Sequence, residues 1–141
     1  MNNAQKNLRI ARIAHIAFCF SAILYILVPL LVIRVPQGSA PREIVFALGV
    51  VAFASLGAAL FVRARLVQPS SEKLVVSPDD AGAAKQWRAG VILSLVFCES
   101  VILFGLALRV LGAGWNVAGV FYAVGIVLML LWTPKLDLPP Q

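Results

Sequence analysis

One carboxylate stands where water is scarcest. The stretch VILSLVFCESVILFGLALRVLG, residues 91–112, is apolar nearly throughout, yet Glu99 sits near its middle with Ser100 beside it. A charged group at the bilayer centre costs at least ~2.5–3.5 kcal/mol on insertion scales, and a carboxylic acid in hydrocarbon lowers that cost by taking up a proton. Glu99 is therefore expected to rest neutral and able to donate one hydrogen bond. Two kinds of chemistry follow: holding helices together, or loading and releasing a proton or cation. Hydrogen bonds between membrane helices contribute about 0.6 kcal/mol on average and up to nearly 2. Within its own helix Glu99 has only Ser100 for company, so partners are expected from other stretches. Ser21, Tyr25 and Ser55 lie at comparable depth.

No other constellation points to chemistry. The chain lacks GxSxG, HExxH, a Walker loop and a GxGxxG opening a helix, and so the usual signatures of hydrolases, zinc proteases and nucleotide enzymes. The single histidine, His15, reads as a polar residue snorkelling at the membrane surface. Cys19 and Cys98 are the only cysteines, with no CxxC and no Cys/His cluster. That pattern excludes a disulfide framework and a zinc site and makes both small apolar packing groups. The expectation is a protein that is not an enzyme and holds neither a metal nor a cofactor.

The elements that must position Glu99 are membrane spans. Of 141 residues 61% are hydrophobic and only 13% charged, against roughly 25% charge in a soluble domain. A span needs roughly 20 mostly apolar residues, and four stretches qualify: 13–33, 44–62, 89–108 and 113–133. Lys6, Arg9 and Arg12 precede the first as they would a signal peptide, but its apolar run exceeds the ~7–15 residues of a signal core, so it reads as a retained span. Trp115 and Trp132 fit interfacial belts at the two ends of the fourth, and Trp87 the inner end of the third.

The net charge of +6 is a topology signal. Nine of the twelve Lys and Arg residues fall on the N-terminal tail, the central loop or the C-terminal tail: Lys6, Arg9, Arg12, Arg63, Arg65, Lys73, Lys85, Arg88 and Lys135. Arg34, Arg42 and Arg109 fall on the other side. Positive charge marks the cytoplasmic face, which places both termini and the central loop inside, in a multi-pass protein of a bacterial inner membrane. The same distribution argues for the lipid bilayer as partner, with other subunits or further copies of the chain, and against nucleic acid.

The chain repeats itself. FCFSAILY (18–25) and FCESVILF (97–104) share five of eight positions, and Arg9 aligns with Arg88 at the same offset of 79. FALGVV (46–51) answers YAVGIV (122–127). Two tandem hairpins, 1–69 and 78–141, would enter the membrane from one side and be related by a pseudo-twofold axis along its normal. Phe20 stands where the second copy has Glu99, so one carboxylate survives the duplication. The fold class expected is all-α, an integral membrane four-helix bundle. Gly49, Gly57, Gly105 and Gly125, with the glycines around the fourth span, would let helices approach closely. The second helix should run on through Arg63 and Arg65 until Pro69 stops it. Residues 69–77 then form a non-helical cytoplasmic linker, and Ser77 caps the third helix with Pro78 in its first turn.

CESVILFGL (98–106) resembles the ion-carrying helix of the rotary ATP synthase c subunit and its vacuolar-type proteolipid relatives. In that family a mid-membrane carboxylate is followed by an aromatic residue and then Gly-Leu, matched here by Glu99, Phe104, Gly105 and Leu106. The preceding small-residue helix and polar cytoplasmic loop of the family are matched by LGVVAFASLGAALF and RARLVQP. The resemblance implies a proteolipid-like ion-transport component using Glu99 as a reversible proton carrier, with Ser100 and a neighbouring hydroxyl orienting it. Two other readings stay open: a structural or assembly subunit of a larger membrane complex, and a small proton-coupled exporter acting as a homodimer.

The charge asymmetry makes a prediction. Gln37 should lie outside the cell and Ser71 inside, so a Cys at 37 in a cysteine-free chain should react with an impermeant maleimide on intact cells and a Cys at 71 should not.

Overall fold

The computed structural model describes residues 2–31 and 40–136. Residues 32 and 33 of the first expected span, Gln37 and the tail 137–141 lie outside them. All regular structure among the described residues is helical: α1 (Asn3–Leu31), α2 (Arg42–Val62), a π-helical turn (Arg63–Val67), α3 (Gln68–Val76), α4 (Ala81–Val110) and α5 (Trp115–Leu131). Three rods, α1, α2 continued through α3, and α4, are long and apolar enough to cross a membrane. The fourth, α5, is apolar but has 17 residues. At 1.5 Å per residue it rises about 26 Å, a little under the ~30 Å hydrocarbon core.

Local chemistry sets the helix ends. At the start of α1, Asn2 Oδ1 accepts the Gln5 backbone N–H at 2.9 Å, an N-cap that satisfies one of the four orphan donors there. The cap of α4 is Asp80, whose Oδ1 accepts from Gly82 N–H at 2.8 Å and Ala83 N–H at 3.0 Å. This corrects the expected start at Ser77–Pro78. Negative charge suits the positive end of a helix, and the Pro78 carbonyl is engaged elsewhere, accepting the Ala4 N–H at 3.1 Å. At the far end of α4, Gly112 takes φ 89°. Ala113 N–H then returns to Leu108 O and Gly112 N–H to Arg109 O, the double closure of a Schellman cap that needs a left-handed residue.

Pro69 does not stop the second helix, and the expected linker 69–77 is helical through Val76. A proline inside a helix costs about 3 kcal/mol, through its missing N–H and a clash with the carbonyl four residues back. Here the turn before it is widened: Gln68 N–H reaches back five residues to Arg63 O. That π-turn gives the ring room where the Arg65 carbonyl would otherwise meet it. The helix beyond is held down by Leu74, which is fully buried and contributes about 1.5–3 kcal/mol.

The bundle is built around α4. α1, α2 with its π-turn and α3, and α5 all pack along it, while α1 and α2 make no substantial contact with each other. Equivalent hairpins would press α1 on α2 as closely as α4 on α5, so the expected pseudo-twofold pairing is not the arrangement adopted. The glycines explain the difference. A Cβ on Gly105 would lie 3.1 Å from Ala118 O and 3.2 Å from Phe121 Cβ, and one on Gly125 would meet Ile102 and lie 3.0 Å from Cys98 O. These two close the α4–α5 hairpin. A Cβ on Gly49 or Gly57 would meet nothing, which corrects their assignment as packing residues within the chain. The close contact that sequence reasoning missed is Gly90, where a Cβ would lie 2.9 Å from both Leu66 and Val67 of the π-turn.

α1 is joined to the α4–α5 hairpin near both ends of their shared length. α1 and α4 start side by side, since Asn3 Nδ2 donates to Asp79 O at 2.9 Å next to the Ala4–Pro78 bond. Further along, Tyr25 O accepts from the Tyr122 hydroxyl at 3.3 Å, and Gly105 faces the ring of the same Tyr122. Trp87, expected at the interface, is instead 1% exposed in the core.

These contacts separate the glycines by experiment. Gly125→Val should destabilise the protein by about 1–3 kcal/mol through overpacking, whereas Gly49→Ala should change stability by no more than about 1 kcal/mol, in the stabilising direction. Thermal unfolding in detergent reads both.

Candidate functional site

Ala81, Lys85, Arg88, Ile92 and Glu99 recur along α4 at spacings of four, three, four and seven residues, one face of a helix. The first three line a cavity with residues of α1, so this face looks toward α1. Gly90 and Val101 look another way, toward the π-turn and toward Gly49 and Ala52 of α2. Glu99 thus lies half-buried on the α1 side of α4, bordering the stripe of Leu93, Val96 and Leu103 that α4 leaves exposed.

Of the side chains expected to orient Glu99, two are turned to other acceptors. Ser100 Oγ donates to its own helix at Val96 O, 2.9 Å. Ser55 Oγ does the same to Val51 O at 2.9 Å, on α2, across the bundle from Glu99. Tyr25 contributes its carbonyl, which accepts from Tyr122. Ser21 is half-buried on α1. None of the four hydrogen-bonds to Glu99. For the serines the cause is local: in an apolar helix a hydroxyl returns to the carbonyl four residues back at no cost in reach.

Two polar residues outside the expected set are built into the core. His15 is buried, and its Nε2 lies 2.9 Å from Met129 O. A carbonyl only accepts, so Nε2 carries the proton. Met129 is in the last turn of α5, where carbonyls lack helical donors; His15 supplies one from another helix, with Cys19 Sγ one turn on at 3.9 Å. It is a clasp between α1 and α5 and does not snorkel. Arg109 is 6% exposed. Its guanidinium donates to Ala113 O and stands 4.4 Å from the Trp115 ring centroid, the cation–π geometry. Trp115 in turn lies 6.3 Å from Tyr122. On the opposite side Arg63 stands 4.8 Å over Trp132, so both tryptophans that flank α5 carry an arginine. The sequence signal for the first pair was legible as R-V-L-G-A-G-W: an arginine and a tryptophan brought together by the glycine turn between them.

No protein-family model, no curated protein and no solved structure matches this chain. The chemistry of the site therefore rests on its own geometry: a half-buried carboxyl with no hydrogen bond among the described residues, on a helix whose other buried polar groups mostly bond backbone carbonyls.

If His15 clasps α5, His15→Leu leaves the Met129 carbonyl without a donor and should cost about 1–3 kcal/mol, while His15→Gln, which keeps a donor, should recover part of the loss. Thermal unfolding of the two variants checks this.

Proposed function

We propose that this is a non-enzymatic membrane subunit in which Glu99 loads and releases a proton between α1 and α4. Support comes from one observation: Glu99 is half-buried at the edge of an exposed apolar stripe and makes no hydrogen bond among the described residues. A group that held helices together would spend its hydrogen bond on a neighbouring helix. A carrier needs a carboxyl that a proton can reach and leave. The sequence likeness of 98–106 to the c-subunit helix points the same way, and Gly105 of that motif is where α5 closes on α4. The one-sided array of lysine and arginine supports both termini inside, and the shared motif of α1 and α4 supports an ancestral duplication.

A second reading draws on the same edge position. The stripe beside Glu99 and the faces of α1 and α2 bearing Phe20, Ile23, Phe46 and Phe53 are exposed. In an assembly subunit, another copy or another protein would cover part of that surface and hydrogen-bond Glu99 in its neutral form.

Glu99→Gln separates the two. Glutamine keeps a donor and an acceptor but cannot release a proton. In reconstituted vesicles the carrier reading expects normal assembly and proton flux reduced to background; the assembly reading expects both preserved. Full flux in the variant ends the carrier.

A further inference from the structure

At the inner end of the same α1–α4 seam is a notch of about 150 Å³. Asn3, Lys6 and Asn7 line it from α1, and Lys85 and Arg88 from α4, with no acidic side chain among its walls. The two helix starts are fixed together by the Ala4–Pro78 and Asn3–Asp79 hydrogen bonds. The nearest capping carboxylate, Asp80, is turned to the N–H groups of Gly82 and Ala83. Three cations therefore converge on a concave surface without a counter-charge in its lining.

The second observation is Asn7. It is 8% exposed, and its Nδ2 donates to Asn3 O at 2.8 Å, which fixes the orientation of the amide. Its Oδ1 is buried with no donor, and a buried acceptor left unpaired is costly. The notch thus asks for an anion for Lys6, Lys85 and Arg88, beside a buried amide that is held in place by its own helix.

We propose that the notch binds the headgroup of an anionic phospholipid of the inner leaflet, its phosphoryl group on the three cations. A zwitterionic headgroup brings an ammonium that the three cations repel. Basic pockets between helices at the cytoplasmic surface suit such headgroups. The binding needs the inside placement of this end and is independent of any proton carried by Glu99.

Native mass spectrometry of the full chain released from nanodiscs of phosphatidylglycerol, phosphatidic acid and phosphatidylethanolamine tests it. Wild type should retain both anionic lipids over phosphatidylethanolamine. Lys6→Gln with Arg88→Gln should reduce retention about tenfold or more, while Arg65→Gln with Lys73→Gln, which removes two cations of the same side away from the notch, should leave it unchanged. Equal losses in the two double variants, equal retention of phosphatidylethanolamine, or displacement of the lipid by inorganic phosphate would each overturn the proposal, the last by making the occupant a free anion.

Discussion

α4 has neighbours along most of its circumference, and the rest of the molecule accommodates that crowding. A helix so enclosed must be slim where others approach, and α4 is: Gly90 admits the π-turn, Gly105 admits α5, and Ala83, Ala84 and Ser94 are buried between larger neighbours. Each approach fixes something beyond itself. The π-turn that fits against Gly90 also makes room for Pro69, so the second rod continues to Val76 without breaking. The contact at Gly105 brings Tyr122 to the height of Tyr25 and joins the two outer helices through one hydroxyl.

With so little polar surface, the buried polar groups mostly resort to backbone carbonyls. Ser94 donates to Gly90 O, His15 to Met129 O, Tyr122 to Tyr25 O and Arg109 to Ala113 O. Met129 O and Ala113 O lie at or beyond a helix end, Tyr25 O lacks a helical donor because Pro29 four residues on has no N–H, and Gly90 O, inside α4, takes the serine hydroxyl beside its helical bond. Among the described residues Glu99 takes no part in this scheme, and it lies beside the exposed stripe of α4.

The helices were legible because hydropathy and charge act over whole segments, and the glycine turn of 111–114 announced the α4–α5 hairpin. The glycines were only half legible. Composition shows that Gly49, Gly57, Gly105 and Gly125 permit close approach, but which of them is used depends on which face meets α4, and that is a tertiary fact. Pro69 misled for a similar reason: its penalty is local, and the π-turn that relieves it shows only in the backbone. His15 looked like a surface residue by its position near the inner end of its helix, because its acceptor lies 114 residues away. Glu99 was legible as an anomaly from the hydrocarbon around it, while its expected companions were not, since serines in helices turn back to their own backbone.

The central place of α4 also bears on how the protein comes to exist. The ribosome delivers α1 and α2 first, and these two scarcely touch. Until α4 is made, each lacks the helix it packs against, with its small alanine faces unmatched. The chain thus stays unassembled through half of its biosynthesis and gains its tertiary structure late, when one helix arrives to which the earlier ones can both adhere.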